Sequence, residues 1–229
     1  MEECGMESAK QETGRKRLFE GTQALIAPLG YLAGLNTLGE CMGDEDVRAF
    51  LGHAILDEIL PCAPLEKGEG AAYAAAVCRQ YETPLAGEPL LPLTARLVEK
   101  WRAFVLPSLA DYAAREGCAP RCLSLGLAAL VMFYAAGRLS SEGRFVGLRG
   151  EDEEYALEDA PEVCAAFDRL SCDMPPESLA YAVLSDQELW GRDLREIPEM
   201  EERLGDALRD LQLIGLRAAM RRAWEGDAE

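Results

Sequence analysis

The sequence predicts an all-α protein, folded as one multi-helical domain of about eight to ten helices. Hydrophobic residues make up 49% of the 229 positions but aromatic residues only 7%, so leucine, alanine and valine must build most of the core. Chains rich in leucine and alanine, with few β-branched runs, favour helices. Apolar residues also recur at helical spacing, in stretches separated by prolines, glycines and capping residues.

The first element follows a polar N-terminal stretch. Residues 1–14 contain glycine and lack hydrophobic periodicity, so we expect a disordered tail followed by a helical domain over residues 15–229. Thr22 can cap the first helix, because a threonine side chain accepts hydrogen bonds from the first turn. This helix is expected over residues 23–33, and Pro28 should kink it or mark its true first turn.

The later helices are bounded by capping residues, prolines and glycines. We expect them near residues 45–60, 69–81, 93–116, 123–137, 161–170, 176–184 and 199–224. Asp44 is the expected N-cap of the first of these helices. The segment 138–158 is loop-rich and acidic, with room for a short hairpin that pairs residues 145–148 with 155–157.

The charge balance excludes two classes of partner. The formal net charge is -18 and the isoelectric point is near 4.5. Binding to nucleic acid and to anionic membrane surfaces draws on lysine and arginine, so we expect neither partner. A membrane span is also not expected, because the chain has no run of about 18 apolar residues.

The eight cysteines predict neither disulfides nor a metal site. A chain of this length does not need disulfides to be stable, and it shows no secretory signal. No pair has C-x-x-C spacing, and the only histidine, His53, is far in sequence from the pair Cys118 and Cys122. We therefore expect reduced thiols in a cytosolic protein, and no metal.

A basic run, a polar turn and an apolar stretch follow one another at residues 15–34, which read RKRLFEGTQALIAPLGYLAG. This stretch resembles the catalytic stretch of the polyol-specific long-chain dehydrogenases, the mannitol dehydrogenase family, and within them the tagaturonate reductases (altronate oxidoreductases). That family has a Lys, an Asn and a His ahead of an apolar helix ending in Tyr-Leu-Ala-Gly. Further segments match in family order at residues 48–61, 100–112, 123–134 and 189–194. The resemblance implies the all-α fold of the family's C-terminal domain.

The three catalytic positions of the family hold Arg15, Glu20 and Gln23 in this chain. In the family the Lys exchanges a proton with the substrate oxygen, and the Asn and His hold that oxygen while hydride is transferred. An arginine stays protonated, an ionised glutamate cannot donate a hydrogen bond to an oxyanion, and a glutamine cannot carry a proton. We therefore predict that the chain alone is not catalytic. Lys16 could replace the base only through a one-residue slip that turns it to another face.

The resemblance also indicates residues for substrate binding. Glu88 stands where the family's reductases have a histidine facing an anionic sugar acid, so its carboxylate would oppose a uronate. Lys100 and Arg102 match basic family positions and could still attract an anion.

NAD(H) is the cofactor that the family implies, but no segment of this chain predicts a dinucleotide site. Fourteen residues ahead of the catalytic stretch cannot hold a βαβ unit, and no G-x-G-x-x-G follows a strand. The resemblance therefore implies a separate nucleotide-binding chain as partner, with a sugar acid or polyol as ligand. Two alternatives stay open: a non-catalytic interaction or ligand-binding module derived from that domain, and a remnant without a present role.

The remaining chemically notable residues have simpler interpretations. His53 lies on the polar flank of a helix and is expected at the surface. Trp101, Trp190 and Trp224 are expected to pack in the protein and not to form a ligand cage. The acidic run at residues 151–154 is interpreted as a solvated loop.

Overall fold

Helices form most of the computed structural model, which describes residues 2–66, 68–135, 137–150, 153–170 and 173–225. The α-helices are α1 (Glu2–Leu32), α2 (Leu38–Gly43), α3 (Glu45–His53), α4 (Glu69–Glu82), α5 (Leu90–Leu93), α6 (Leu97–Lys100), α7 (Leu106–Glu116), α8 (Arg121–Ala135), α9 (Pro161–Asp168), α10 (Pro176–Ser185), α11 (Gln187–Trp190), α12 (Met200–Leu213) and α13 (Leu216–Glu225). π-Helical turns at Ala54–Ile59 and Trp101–Val105 continue α3 and α6, and 3₁₀ turns cover Leu60–Cys62, Leu85–Gly87 and Leu194–Glu196. The predicted all-α, multi-helical fold is confirmed.

A small antiparallel sheet interrupts the helices, with β1 (Arg138–Leu139), β2 (Phe145–Arg149) and β3 (Glu153–Ala156) in the order β1-β2-β3. Gly147 pairs with Tyr155, and a Cβ atom at this glycine would lie 2.2 Å from the tyrosine ring. The predicted hairpin therefore exists, and a glycine is needed where the ring crosses the strand. Of the acidic run 151–154, the first two residues lie outside the described part of the chain.

The first helix is much longer than the sequence predicted. α1 begins at Glu2, where we expected a disordered tail over residues 1–14, and it passes through Pro28. Gly14 and Gly21 allow other segments to pack closely against this helix. A Cβ atom at Gly14 would lie 2.8 Å from Leu65, and one at Gly21 would lie 3.2 Å from the Phe104 carbonyl oxygen. These glycines made the segment look irregular, whereas tertiary packing uses them inside a helix.

Thr22, which we expected to cap the first helix, lies fully buried in its middle. Its hydroxyl is 2.6 Å from the Tyr81 hydroxyl and also bonds to the Leu18 carbonyl oxygen. A mid-helix threonine can satisfy its hydroxyl in this way. Its pairing with α4 could not be read from the local sequence.

Two long predicted helices are each broken. The segment 93–116 bends after α5, where Arg96 has φ +54°. The Asp159 carboxylate accepts a hydrogen bond from the Val98 N–H at 3.1 Å, so a distant side chain caps the new helix α6. The final helix is divided into α12 and α13 at Gly215, whose φ of +78° ends a helix as glycine commonly does.

The core centres on α8 and the second half of α1. A Cβ atom at Gly126 would lie only 2.0 Å from Leu25, so these two helices approach closely. Trp101 is fully buried beside them and donates a hydrogen bond from its indole nitrogen to the Ala24 carbonyl oxygen at 3.0 Å. The N-terminal end of α8 is held by Glu58, whose carboxylate accepts hydrogen bonds from Cys122 and Leu123, each at 2.8 Å.

Candidate functional site

The three positions of the candidate catalytic site all lie on α1. A helix turns by about 100° per residue, so Glu20 and Gln23 lie about 140° and about 80° around the axis from Arg15. Glu20 and Gln23 are half-buried, whereas Arg15 is exposed. These positions therefore form one broad face of α1, next to α4 and the segment that contains α6.

Arg15 lies against α4. Its guanidinium is 3.7 Å from the Glu69 carboxylate and lies 5.9 Å from the centre of the Tyr73 ring. These partners were missed from the sequence, although their spacing of four residues places them on one side of α4. An ion pair and a cation–π contact both favour the charged guanidinium, so Arg15 offers positive charge but no base.

The surroundings of Lys16 do not favour a role as a catalytic base. Its ammonium nitrogen lies 2.7 Å from the Glu12 carboxylate, on the exposed surface of α1. The hydrogen bond and charge of Glu12 raise the pKa of Lys16. A lysine that acts as a base at neutral pH needs a lowered pKa, so this environment works against such a role.

Lys100 has a pKa that is shifted in the direction that an acid–base lysine needs. Partial burial lowers its pKa, an effect that the nearby negative charge of Glu20 opposes. Its ammonium nitrogen donates a hydrogen bond to the Leu93 carbonyl oxygen at 2.8 Å. The charges of Glu20, on α1, and of Asp159 therefore both act on Lys100.

Arg102 and Glu88 have other surroundings. Arg102 follows Lys100 by two residues, so the two side chains point to nearly opposite sides, about 200° apart. A Cβ atom at Gly191 would lie 3.0 Å from the Arg102 guanidinium, which therefore covers the glycine of the LWGRDL segment. Glu88 is exposed, and its backbone bonds to Leu38 and Leu85. Lys100 and Arg102 therefore do not form one clamp for an anion.

Tyr81 is a buried polar residue behind this face that sequence reasoning did not single out. Its hydroxyl donates a hydrogen bond to the Phe19 carbonyl oxygen at 2.9 Å and contacts Thr22. Burial raises the pKa of Tyr81, with a smaller contribution from the charge of Glu20. A fully buried phenol of this kind holds α4 against α1 and stays protonated.

The histidine and the tryptophans lie as expected, whereas Glu153 and Glu154 of the acidic run are exposed but lie in strand β3 and not in the predicted loop. His53 is exposed, lies 2.7 Å from the Asp57 carboxylate and stacks on Trp224. Trp101 and Trp190 are buried, and their indole nitrogens donate to backbone carbonyl oxygens. Among the described residues no cluster of three or more His, Cys, Asp or Glu side chains could hold a metal ion.

Six of the eight cysteines are unpaired thiols in the structure: Cys41, Cys62, Cys78, Cys118, Cys122 and Cys164. Burial raises the pKa of the Cys41 thiol to about 12. It also raises the pKa of Cys122. Such thiols are poor nucleophiles, so these two cysteines are structural.

The comparison with protein families settles the ancestry of this fold. A model described as "Mannitol dehydrogenase C-terminal domain" matches residues 12–212. The chain belongs to this family. The resemblance to this family that residues 15–34 and the later segments indicated is therefore confirmed.

Curated relatives and solved structures agree with this assignment. The chain is 31% identical over 216 residues to the altronate oxidoreductase of Halalkalibacterium halodurans, covering 92% of this chain and 42% of that protein. It is 33% identical over 211 residues to the enzyme of the same name from Cronobacter sakazakii, covering 90% of this chain and 40% of that protein. It therefore spans about two-fifths of the length of these relatives.

The fold is shared with two solved dehydrogenases. The Pseudomonas fluorescens mannitol 2-dehydrogenase, in a ternary complex with NAD and D-mannitol, superposes with a TM-score of 0.76 at 16% identity, covering 95% of this chain and 41% of that one. A substrate-free D-sorbitol dehydrogenase superposes with a TM-score of 0.68 at 13% identity, covering 93% of this chain and 40% of that one.

In the described residues, no helix is both long enough and apolar enough to cross a membrane.

Proposed function

We propose that this chain is the substrate-side helical domain of an altronate or mannitol dehydrogenase-like protein, and that its catalytic positions no longer support acid–base chemistry. The observation that carries this proposal is Arg15, which stands at the family's lysine position and is held by Glu69 and Tyr73. A guanidinium in these surroundings stays charged, so it can attract an oxyanion but cannot take up or release a proton. The purified 229-residue chain is therefore expected to lack hydride-transfer activity.

The two neighbouring positions support the same proposal. Reduction of a carbonyl needs a donor that stabilises the developing alkoxide and then supplies a proton. Glu20, near Lys100, adds negative charge at that place, and Gln23 can donate a hydrogen bond but no proton. The altered face would therefore hold a polar ligand without promoting its reduction.

NAD, which the family implies, does not fit the described residues on their own. The described strands form one antiparallel three-stranded sheet, whereas dinucleotide-binding folds use parallel strands with a helix crossing between them. No step at the nicotinamide is therefore assigned to these residues. A nucleotide-binding domain, as a separate chain or a further segment, would have to supply it.

A non-catalytic role is the second candidate, and the surroundings of Lys100 favour it. A half-buried ammonium group with a nearby carboxylate offers both a donor and acceptors, as recognition of a sugar hydroxyl or a sugar acid requires. Such a site could bind a sugar acid or polyol without turnover.

A chimera tests the proposal. Residues 12–229 would replace the matching C-terminal part of the Halalkalibacterium halodurans altronate oxidoreductase, which supplies its own preceding segment. NADH oxidation with tagaturonate would be measured for the parent enzyme, the chimera and a chimera with Lys16→Met as a surface control. We expect activity from the parent alone, with both chimeras folded by circular dichroism. If the chimera is active and the chimera with Lys16→Met is equally active, the proposal is contradicted.

A further inference from the structure

The carboxylate of Asp159 joins segments that are far apart in the sequence. Asp159 follows the three-stranded sheet, and its Oδ2 atom accepts hydrogen bonds from the Val98 N–H at 3.1 Å and from the Tyr134 hydroxyl at 2.7 Å. Its Oδ1 atom accepts a third hydrogen bond, from the Ala160 N–H at 2.8 Å. An ionised carboxylate, whose two oxygens only accept hydrogen bonds, satisfies all three donors.

Tyr134 fixes Asp159 relative to the core. The Tyr134 side chain on α8 is 2% exposed, and its ring stacks on Phe167 with the ring centres 4.6 Å apart. Burial raises the pKa of Tyr134, and the negative charge of Asp159 raises it further, so the phenol stays protonated and remains the donor. The position of the Asp159 carboxylate is therefore set by a helix at the centre of the core.

The same carboxylate holds the short helix that carries Lys100. α6 begins after Arg96, whose φ is +54°, and the Arg96 N–H donates a hydrogen bond to the Glu158 carbonyl oxygen at 2.8 Å. Together with the bond from the Val98 N–H to Asp159, two hydrogen bonds therefore join this segment to the start of α6. Lys100 is the last residue of this four-residue helix, about one turn from its start.

Three charged groups act on the ammonium group of Lys100. Partial burial is the largest effect and lowers the pKa of Lys100. The charge of Glu20 raises this pKa, the charge of Arg96 lowers it, and the charge of Asp159 raises it. Arg96 is exposed and paired with Glu99, so solvent and a carboxylate both screen its repulsion. The two carboxylates therefore oppose the effect of burial and favour the charged ammonium group.

We propose that Asp159 is a positioning residue for Lys100, whose hydrogen bonds fix the start of α6 and whose charge stabilises the lysine ammonium group. The inference rests on the proposed function, in which the surroundings of Lys100 favour binding of a sugar acid or polyol. A charged ammonium group held in one place is a donor to the carboxylate or hydroxyl groups of such a ligand. Asp159 acts through Lys100 and through α6, so it needs no contact with the ligand.

A purely structural cap makes a different prediction. Asparagine caps helices about as well as aspartate, and its oxygen can accept the Val98 hydrogen bond, but it carries no charge. If Asp159 served only as a cap, Asp159→Asn would leave the pKa of Lys100 unchanged. If its charge stabilises the ammonium group, the same variant lowers that pKa. Loss of the cap in Asp159→Ala adds an opposite effect, because a frayed α6 exposes Lys100 to water and relieves its burial.

An NMR titration of the full chain, prepared with ¹³C-labelled lysine, tests the proposal. The chain has only four lysines, so the Cε signals are few, and the variant Lys100→Arg identifies the signal of Lys100. The test variants are Asp159→Asn and Asp159→Ala, and Glu20→Gln removes the other carboxylate that raises the Lys100 pKa. The matched control is Asp44→Asn, because Asp44 caps α3 through a bond of the same length, 3.1 Å, to the Val47 N–H. Circular dichroism at each pH checks that every variant is folded.

We expect Asp159→Asn to lower the pKa of Lys100 by about 0.5 or more, because an opposite charge is lost, and Glu20→Gln to lower it as well. Asp159→Ala should give a higher Lys100 pKa than Asp159→Asn. Asp44→Asn should leave Lys100 unchanged. An unchanged Lys100 pKa in Asp159→Asn would overturn the proposal, as would an equal shift in Asp44→Asn.

The titration of Lys100 is independent of hydride transfer, because it uses neither ligand nor cofactor. Turnover by the chimera would contradict the proposed function without changing the pKa of Lys100 in these variants. An unchanged pKa would overturn the role of Asp159 without restoring turnover. The failure of one proposal is therefore distinguishable from the failure of the other.

Discussion

The two halves of α1 have the same secondary structure and opposite surroundings. From Ala24 to Leu29 the side chains of Leu25, Ile26 and Leu29 have no exposed surface. In the first half, Arg15 and Lys16 are about half-exposed and form pairs with carboxylates on α4 and on α1 itself. The buried half agrees with the family's helix, whereas the exposed half carries Arg15, which the resemblance places at the family's lysine position. Packing therefore constrains one half, and the other is able to change its chemistry without loss of the fold.

The largest expected effect lies on the buried side of this comparison. Trp101→Ala removes a fully buried ring and its hydrogen bond to Ala24, and should lower the free energy of unfolding by about 3–5 kcal/mol. Urea denaturation would measure this. Trp224→Ala is the matched control, since this ring is only half-buried and stacks on His53. An equal loss for both variants would contradict the described core.

A pH-dependent effect is expected at the N-terminal end of α8. Glu58 is 6% exposed, and burial raises its pKa to about 7. The hydrogen bonds that its carboxylate accepts from two backbone N–H groups oppose this rise. Between pH 4.5 and about 7, Glu58 therefore keeps its proton in the folded protein but has released it in the unfolded chain. Relative to Glu58→Gln, the wild type should lose stability as pH rises through this window, by at most about 3 kcal/mol.

Denaturation of both proteins at several pH values would measure this difference. Only the difference between wild type and Glu58→Gln is informative, because other carboxylates, such as Glu177, have a lowered pKa and act in the opposite direction. A difference that does not change with pH would mean that Glu58 has an ordinary pKa.

An intermediate effect is expected where α3 begins. Asp44→Ala removes a capping bond to the Val47 N–H at 3.1 Å and an ion pair with Arg217 at 2.6 Å, and should cost about 1–2 kcal/mol. Thermal unfolding would measure it, with Asp57→Ala as the control because Asp57 forms an exposed pair with His53. If Asp57→Ala cost as much, the assigned cap would be wrong.

The smallest effects are expected on the exposed half of α1. Arg15→Ala and Lys16→Ala should each change the free energy of unfolding by less than about 0.5 kcal/mol, because exposed ion pairs contribute little. Chemical denaturation under the conditions used for Trp101→Ala would measure both. A loss comparable to that of Trp101→Ala would remove the contrast between the two halves.

The sequence predicted the fold class and many helix boundaries because local signals determine them. Asp44 caps α3 as expected, and prolines begin α9 and α10. It failed where distant contacts decide. Gly14 lies inside α1, where it packs against Leu65, and α6 receives its cap from Asp159. No local pattern contains these partners.

The sequence named candidate site residues but not their surroundings. The resemblance placed Arg15, Glu20, Gln23 and Lys100 at family positions. It could not show that Glu69 pairs with Arg15 or that the charge of Glu20 acts on Lys100, because these interactions join elements far apart in sequence.

The most direct test of the central claim is restoration of hydride transfer. The chimera with the Halalkalibacterium halodurans segment would carry Arg15→Lys, Glu20→Asn and Gln23→His together, and NADH oxidation with tagaturonate would be compared with the unmodified chimera. If the scaffold is intact and only these three positions have changed, the triple variant should be at least about 100-fold more active. Equal activity of the two chimeras, with both folded, would contradict the claim.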